Sequence, residues 1–373
     1  MSDPNPPPLD GILVLDLTRM LPGAVVARQL VDLGARLIKV EDPDGGDPMR
    51  MVPPLVGGVG VGFAAFYRGA ESIRLDLKNE QDAGRLRKIV DRADVLVENF
   101  RPGTLESWGL GWKKIAVGNP RLVWCSLSSF GSQPEVRDLV AHDLNLSAMT
   151  GFLDLVGGRV PRLQIADISS GLMATSAILA ALLARANGRP GQRIEQPLVA
   201  GPLPFLTWSW AERATDPSDV VGTLLGGGLP CYRIYRCADG QDLIVGALEP
   251  KFWAALMDLL DLQELDGFAF ALGEDGAMAA KKVEKALASH PREHWLRHAH
   301  QRGLPLTAVH GIDQAREDPV FAAAGLTEDT PMPGGNVTPG VGPYLSGLGK
   351  TPDRPAPLLG EQTEKVFAEF GLD

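Results

Sequence analysis

The sequence has few cysteines and a deficit of positive charge. It contains three cysteines among 373 residues, Cys125, Cys231 and Cys237, an odd number without metal-site spacing. This scarcity argues against a disulfide scaffold and indicates a reduced, intracellular protein, which we expect to be cytoplasmic. The formal net charge is -10, with 36 Lys and Arg interspersed among 46 Asp and Glu. A basic nucleic-acid footprint is therefore not expected.

Long hydrophobic runs are also missing. Residues 1–8 are polar and proline-rich, with neither the basic start nor the apolar run of a signal peptide. The longest apolar stretch, Gly171 to Ala184, is rich in alanine and short for a bilayer span, so it predicts a buried helix. We expect no membrane and no nucleic-acid partner. A few local Lys and Arg side chains would still suffice to hold a small anionic ligand.

Short apolar segments alternate with helical patterns in the first part of the chain. Two βαβ units and one further strand are visible, at residues 11–17, 24–33 and 36–41, then 72–77, 80–92 and 94–98, then 122–127. This alternation predicts an α/β fold with a doubly wound, Rossmann-like parallel sheet. No GxGxxG motif follows a strand, so a dinucleotide cofactor is not expected.

The composition changes near Gly188-Arg189-Pro190-Gly191, and Gly226-Gly227-Gly228 opens a smaller unit. Residues 232–235 and 243–245, with a turn at Ala238-Asp239-Gly240, predict a hairpin. Residues 334–349 have the composition of a loop. Helices are expected at 203–213, 250–260, 278–290, 291–302 and 361–370.

Three ionisable residues stand where strands or loops meet helices: His142, Asp167 and Glu249. One imidazole and two carboxylates can supply a base, an acid and an orienting group for proton transfer at carbon. Each also has a plainer interpretation. His142 then belongs to an ordinary first turn beside a capping Asp143, Asp167 is an N-cap between a strand and a helix, and Glu249 starts a helix. For Asp167, burial would raise the pKa and a helix N-terminus would lower it.

Other histidines and cations allow further predictions. His294 and His298 have metal-ligand spacing, but Trp295 stands where a metalloprotease helix needs Glu, so we predict a solvated helix face and no metal site. Lys39, Lys78 and Arg101 lie near the carboxyl ends of predicted strands, where open α/β sheets bind ligands. Together they suit a ligand with several phosphates, although each alone is more typical of surface charge.

Taken in order, the motifs resemble the class III CoA-transferase superfamily over nearly the whole chain. Within it, Ala141-His142-Asp143-Leu144-Asn145 and the run Val245 to Trp253 resemble the α-methylacyl-CoA racemase branch. The motifs of the superfamily are Asp32-Leu33-Gly34-Ala35, Leu75-Asp76-Leu77-Lys78, Asn99-Phe100-Arg101-Pro102-Gly103, Ser129-Phe130-Gly131 and the run Pro357 to Thr363.

The resemblance implies an architecture and a binding mode. A large Rossmann-like domain is expected at residues 1–200 and 327–373, a linker at 201–221 and a small α+β domain at 222–326. Two chains are expected to interlock as rings in a homodimer, with each active site between the large domain of one and the small domain of the other. No separate cofactor is implied, because CoA is part of the acyl-CoA substrate. The residues implied in CoA binding are Lys39, Leu75, Lys78, Asn99 and Arg101.

The racemase branch implies an isomerase of fatty acid metabolism that transfers a proton at the α-carbon of a 2-methylacyl-CoA. His142 and Asp167 would exchange the proton on opposite faces, and Glu249 of the small domain would pair with His142. The alternative is a CoA-transferase in which Asp167 attacks the thioester and forms a mixed anhydride. A non-catalytic acyl-CoA-binding protein is a third class. Leu146 and Ser169-Ser170 depart from the branch and leave the acyl chain open.

Overall fold

The computed structural model describes residues 6–216, 218–345, 347–350 and 352–372. The chain divides into two compact units. The large unit comprises the residues up to Phe205 and those from Asp318 onward, and the small unit comprises Leu206–Glu317. The ends predicted for the large domain, 200 and 327, lie near these divisions. Much of the predicted linker, 201–221, is helical.

A six-stranded parallel sheet with the order β5-β2-β1-β6-β7-β8 forms the centre of the large unit, which confirms the predicted fold class. Successive strands run outward from β1 on one side and from β6 on the other. The topological switch point therefore lies between β1 and β6. The strands of the chain are β1 (Leu13–Asp16), β2 (Arg36–Glu41), β3 (Leu55–Val56), β4 (Val59–Gly60), β5 (Glu71–Arg74), β6 (Val95–Glu98), β7 (Val123–Ser128), β8 (Arg193–Pro197), β9 (Tyr232–Arg236), β10 (Asp242–Gly246), β11 (Leu306–Ala308), β12 (Thr327–Pro331) and β13 (Val337–Val341).

Helices cover both faces of this sheet. Alternate strand residues point to opposite faces, so Val14 packs with α1 and α8 while Leu15 packs with α3 and α16. The helices are α1 (Leu21–Asp32), α2 (Val61–Phe66), α3 (Glu80–Val90), α4 (Thr104–Ser107), α5 (Trp112–Gly118), α6 (Asp143–Met149), α7 (Phe152–Leu155), α8 (Ile165–Ala186), α9 (Leu203–Thr215), α10 (Val220–Thr223), α11 (Pro250–Leu260), α12 (Gly273–Leu287), α13 (Arg292–Arg302), α14 (Ile312–Glu317), α15 (Pro319–Ala323) and α16 (Thr363–Phe370).

The first helix begins earlier than the sequence predicted. Pro22 and Gly23, which were interpreted as a break, lie inside the first turn of α1, where proline costs no hydrogen bond. A Cβ on Gly23 would lie 1.7 Å from the Thr18 hydroxyl oxygen. The glycine is therefore required by the close approach of α1 to the loop after β1.

The apolar helix α8 is longer than the sequence predicted. It spans 22 residues and meets the length and hydropathy criteria of a membrane span, although 50% of its most apolar window is buried inside the protein. It packs on α1, where a Cβ on Gly171 would lie 2.7 Å from the Val25 Cβ. Its contacts are those of a core helix of the large unit.

The small unit has its own antiparallel sheet, with the order β11-β10-β9. Its core includes Leu243 and Val245 from β10 and Trp253 and Leu256 from α11. The hairpin of β9 and β10 was predicted, whereas β11 was not. In the large unit, β13 lies within the segment interpreted as loop, where it pairs with the polar strand β12. Neither β12 nor β13 has the apolar alternation from which a strand is predicted.

Candidate active site

Asp167 is the third residue of α8, and Gln164 occupies the N-cap position. The sequence interpretation of Asp167 as an N-cap after an apolar strand is therefore wrong, because residues 161–164 form no strand and the helix starts at Ile165. The backbone N–H of Asp167 donates to Oδ1 of Asp143 at 3.0 Å. This bond satisfies one of the free N–H groups of the first helical turn.

The carboxyl group of Asp167 is electrostatically unusual. Burial raises its pKa, the nearby Asp143 carboxylate raises it further, and the result is about 7. The positive end of a helix favours the ionised form of a carboxyl and so acts in the opposite direction. A carboxyl that titrates near neutral pH can both donate and accept a proton under physiological conditions.

His142 is itself the N-cap residue of α6, and Asp143 is the first residue inside that helix. The expected roles of these neighbours are therefore exchanged, since Asp143 caps α8 from outside instead of capping its own helix. The backbone N–H of His142 donates to Oδ1 of Asn145 at 3.1 Å. Its side chain is exposed. The residue that directly follows His142 thus accepts the hydrogen bond that holds Asp167.

Glu249 lies in the small unit at the N-cap of α11, and Ala247 and Leu248 connect it to the end of β10. Pro250 follows at the first helical position, which agrees with the plainer interpretation that Glu249 starts a helix. Its side chain is exposed. Its predicted pairing with His142 stays a prediction.

Two clefts lie at the carboxyl ends of the parallel strands. We call the first the β1 cleft; its lining includes Arg19, Leu75, Lys78, Phe100 and Trp108. We call the second the β6–β7 cleft; its lining includes Asn99, Arg101, Ser128, Ser129 and Arg137. Phe100 lines both clefts, so they are adjacent. They flank the topological switch point, where ligands of open α/β sheets bind.

Lys39 differs from the other predicted cations because it is completely buried. Its Nζ lies 3.3 Å from Asp16 Oδ2 and 3.2 Å from Asp47 Oδ2. It also donates to the carbonyl oxygen of Thr18 and lies 2.8 Å from the Tyr67 hydroxyl. A lysine has three N–H donors, and these partners account for them. A bond to phosphate would require one partner to leave, so contact of Lys39 with CoA stays a prediction.

The other residues predicted to bind CoA differ in their exposure and in their hydrogen bonds. Lys78 and Arg101 are exposed, whereas Leu75 is buried at the β1 cleft. Asn99 accepts from the backbone N–H of Arg19 at 2.9 Å and donates to its carbonyl oxygen at 2.7 Å. Asn99 therefore fastens the loop after β1 to the end of β6, across the switch point. The part that each plays in CoA binding stays a prediction.

Two residues of the site were not among the predicted ones. Arg19 follows β1 and lines the β1 cleft, and the rule that selected Arg101 at the end of a strand would also have selected it. Asp143 was considered only as a cap of its own helix. Nothing in the sequence signals its bond to Asp167, because the two residues belong to different helices.

His290, just before α13, and His294 and His298 of α13 form a row of rings. The His290 and His294 rings stack at 4.1 Å between centroids, and the His298 ring lies 4.6 Å from that of His294. Within the described ranges, no group of three or more His, Cys, Asp or Glu side chains has a geometry that could hold a metal ion.

Comparison with known proteins identifies the family of the chain. The model of CoA-transferase family III matches residues 9–363, and the chain belongs to this family. It is 33% identical to the acetyl-CoA:oxalate CoA-transferase of Acetobacter aceti, over 97% of this chain and 96% of that protein. It is 30% identical to the alpha-methylacyl-CoA racemase of Mus musculus, over 98% and 93%. A CAIB/BAIF family protein from Brucella suis has the same fold, with a TM-score of 0.84 and 29% identity over 98% of this chain and 100% of that one.

Proposed function

We propose that this protein is an acyl-CoA racemase that moves the α-proton of a 2-methylacyl-CoA thioester. One observation carries the proposal. Asp167 has a pKa raised to about 7, and its backbone is held by the residue that follows His142. An imidazole and a carboxyl of raised pKa at neighbouring helix starts provide two groups that can carry a proton.

In this mechanism His142 and Asp167 act on opposite faces of the α-carbon. One removes the proton and the other returns a proton to the opposite face, so each ends the turnover in the reverse protonation state. The enolate formed between these steps needs stabilisation of the thioester oxygen. Free N–H groups at the start of α8 are suited to that task. Glu249, supplied by the small unit of a chain, would orient His142.

A second candidate, CoA transfer, is favoured by the relative from Acetobacter aceti, which is named as a transferase of CoA to oxalate. In that reaction the ionised Asp167 attacks the thioester carbonyl and releases CoA as a thiolate, which leaves an aspartyl mixed anhydride. An acceptor carboxylate then takes the donor acyl group from Asp167 as a new anhydride, and the CoA thiolate attacks the acceptor carbonyl of that anhydride, which forms the acceptor acyl-CoA and releases the donor carboxylate. This route needs Asp167 but not His142.

The two reactions can be separated with single-enantiomer 2-methylacyl-CoA in deuterated water. We expect deuterium at the α-carbon and formation of both epimers, and a loss of about 100- to 10 000-fold in the His142→Ala and Asp167→Asn variants. The exposed His300→Ala serves as the matched control and should retain the wild-type rate. Absence of exchange, together with CoA transfer that survives in His142→Ala, would establish the transferase instead.

We propose further that the protein acts as a homodimer in the cytoplasm and needs no cofactor besides the CoA of its substrate. Several large apolar side chains support an interface, since Phe205, Trp208 and Trp210 of α9 are 58%, 62% and 57% exposed in the single chain. The three cysteines are buried and free, as suits a reducing compartment. Light scattering after size exclusion should give twice the mass of the chain.

A further inference from the structure

Met20, which directly follows Arg19 of the β1 cleft, has a strained backbone. Its φ is 63° and its ψ is -163°, a region that is essentially restricted to glycine. The residue is also the N-cap of α1, where Ser, Thr, Asp, Asn or Gly is preferred, and no side-chain hydrogen bond caps this helix. Glycine would therefore suit the fold better at this position than methionine does.

Packing does not account for the side chain of Met20 either. The residue is 43% exposed in the single chain, so the core gains little from its apolar atoms. Local rules of folding are broken mainly at functional sites, where the surrounding structure sustains the strain. The side chain of Met20 is therefore a candidate contact for a ligand.

Hydrogen bonds on both sides of the strained residue hold its conformation. The backbone N–H of Met20 lies 3.2 Å and 3.3 Å from the two carboxylate oxygens of Asp47. Asp47 is buried and forms an ion pair with Lys39. The preceding residue, Arg19, has both of its backbone groups bonded to the Asn99 side chain. The loop that carries Met20 is thus fixed to separate segments of the large unit.

The helices α1 and α8 run side by side in the same direction. A Cβ on Gly171 of α8 would lie 2.8 Å from the carbonyl oxygen of Pro22 in the first turn of α1. Further along both helices, the Gln29 side chain of α1 donates to the Thr175 hydroxyl of α8 at 2.9 Å. The N-terminal ends of the two helices therefore lie next to each other.

This arrangement places Met20 beside the start of α8. Asp167 precedes Gly171 by four residues, so it lies on the same face of α8, one turn nearer to the N-terminus. Met20 directly precedes the first turn of α1. Arg19, on the other side of Met20, lines the β1 cleft. The exposed methionine thus lies between the β1 cleft and the candidate catalytic carboxyl.

We propose that Met20 is a specificity-determining residue that contacts the acyl group of the thioester. The inference rests on the proposed function in that Asp167 marks the reacting end of the ligand, and it applies to the racemase and the transferase alike. A methionine side chain is apolar, unbranched and flexible, so it adapts to acyl groups of different shape. The contact strengthens with the apolar area that the acyl group buries, so it favours long acyl groups over short ones.

Calorimetric titration with S-alkyl-CoA thioethers tests this contact without turnover, because a thioether has no carbonyl group to attack or to acidify an α-proton. We expect Met20→Ala to raise the dissociation constant of S-octyl-CoA about tenfold, the loss of about two buried methylene groups. The dissociation constant of free CoA should not change. Met20→Leu should restore most of the affinity for S-octyl-CoA. Met278→Ala shortens a methionine of α12 that is 36% exposed, and this matched control should bind both ligands like the wild type.

The Met20→Gly variant separates the side chain from the strain of the backbone. It should lose affinity for S-octyl-CoA as Met20→Ala does. Its midpoint in urea denaturation should nevertheless be higher than that of Met20→Ala, because glycine adopts this conformation without a steric penalty. A midpoint at or below that of Met20→Ala would show that Met20 is not strained and would remove the reason to assign it a function.

Two results of the titration would overturn the proposal. One is an unchanged affinity of Met20→Ala for S-octyl-CoA. The other is an equal loss of affinity for free CoA, which would assign the effect to the CoA moiety instead of the acyl group. Failure of the proposed function has a different signature, namely no α-proton exchange and no transfer with thioesters while S-octyl-CoA still distinguishes Met20→Ala from the wild type.

Discussion

Two regions of the large unit bury aspartate side chains in opposite ways. Asp16 lies under the β1 cleft, where burial raises its pKa and outweighs Lys39 and the hydrogen bonds from Thr18, which act to lower it. Asp167 at the start of α8 is also raised by burial, but its charged neighbour is the acid Asp143, which raises the pKa further. The first carboxyl group lies beside a buried cation, and we expect it to support the fold. The second is left near the point of titration, which is where proton transfer needs it.

The region around Asp16 and Lys39 is expected to show the largest effect on stability. Lys39→Met removes the cation between Asp16 and Asp47 and leaves two buried carboxyl groups without a positive partner. We expect a loss of about 3–5 kcal/mol in the free energy of unfolding, measured by urea denaturation. Lys78→Met is the matched control, because it removes an exposed lysine of the same cleft. Equal midpoints for the two variants would show that the Lys39 cluster does not support the fold.

At Asp167 we expect the reverse effect. Replacing this carboxyl by a neutral side chain should raise the free energy of unfolding. The folded-state pKa of Asp167 is about 7, above an unfolded value of about 3.9. The folded protein therefore binds this proton more tightly, and its stability falls as pH rises from about 4 to 7. Asp167→Asn cannot titrate and should gain about 2 kcal/mol relative to the wild type across that window, with partial solvent access reducing the full linkage energy.

Urea denaturation of both proteins at pH 5 and pH 8 measures this gain. The difference in unfolding free energy should favour Asp167→Asn more strongly at the higher pH. A difference that does not depend on pH would show that Asp167 titrates as an ordinary carboxyl and would weaken its assignment as a proton carrier.

The smallest expected effect concerns the contribution of Asp143. Asp143→Asn keeps an oxygen that can accept from the Asp167 N–H and removes the like charge that raises the pKa of Asp167. The midpoint in the pH profile of α-proton exchange should move about one unit lower. Asp154→Asn, which neutralises an exposed acid of α7, should leave the midpoint in place. A profile that is identical in both variants would assign the raised pKa to burial alone.

Sequence patterns predicted the fold of the large unit better than the bounds of its helices and the presence of its edge strand. The run Arg36 to Glu41 appears as a strand with the predicted ends, because apolar residues flanked by turn signals leave few alternatives. The start of α1 was misplaced by three residues, because Pro22 and Gly23 serve helix entry and close packing in this context. The strand β8 was not predicted, since Arg193-Ile194-Glu195-Gln196 is polar and lies at the sheet edge.

The sequence also predicted some features of the candidate site better than others. It indicated the ionisable residues but not their contacts with remote segments. Asp167 stands out in the sequence because it borders an apolar helix, and His142 because it belongs to a short motif. The sequence assigned Lys39 to the ligand together with Lys78 and Arg101, because all three lie near the carboxyl ends of predicted strands. Only the structure distinguishes them, since the distance to Asp16 and Asp47 depends on the folding of separate segments.

The sequence by itself determined the parallel α/β fold, the family and the identity of the ionisable residues. Hydrophobic periodicity and ordered motifs are local, and they survive without knowledge of contacts. Tertiary structure decided which charges are neutralised and which remain free. It buried Lys39 between two aspartates, and it placed the Asp143 carboxylate against the start of α8. Charge interactions depend on distance and burial, and both arise only when remote segments pack together.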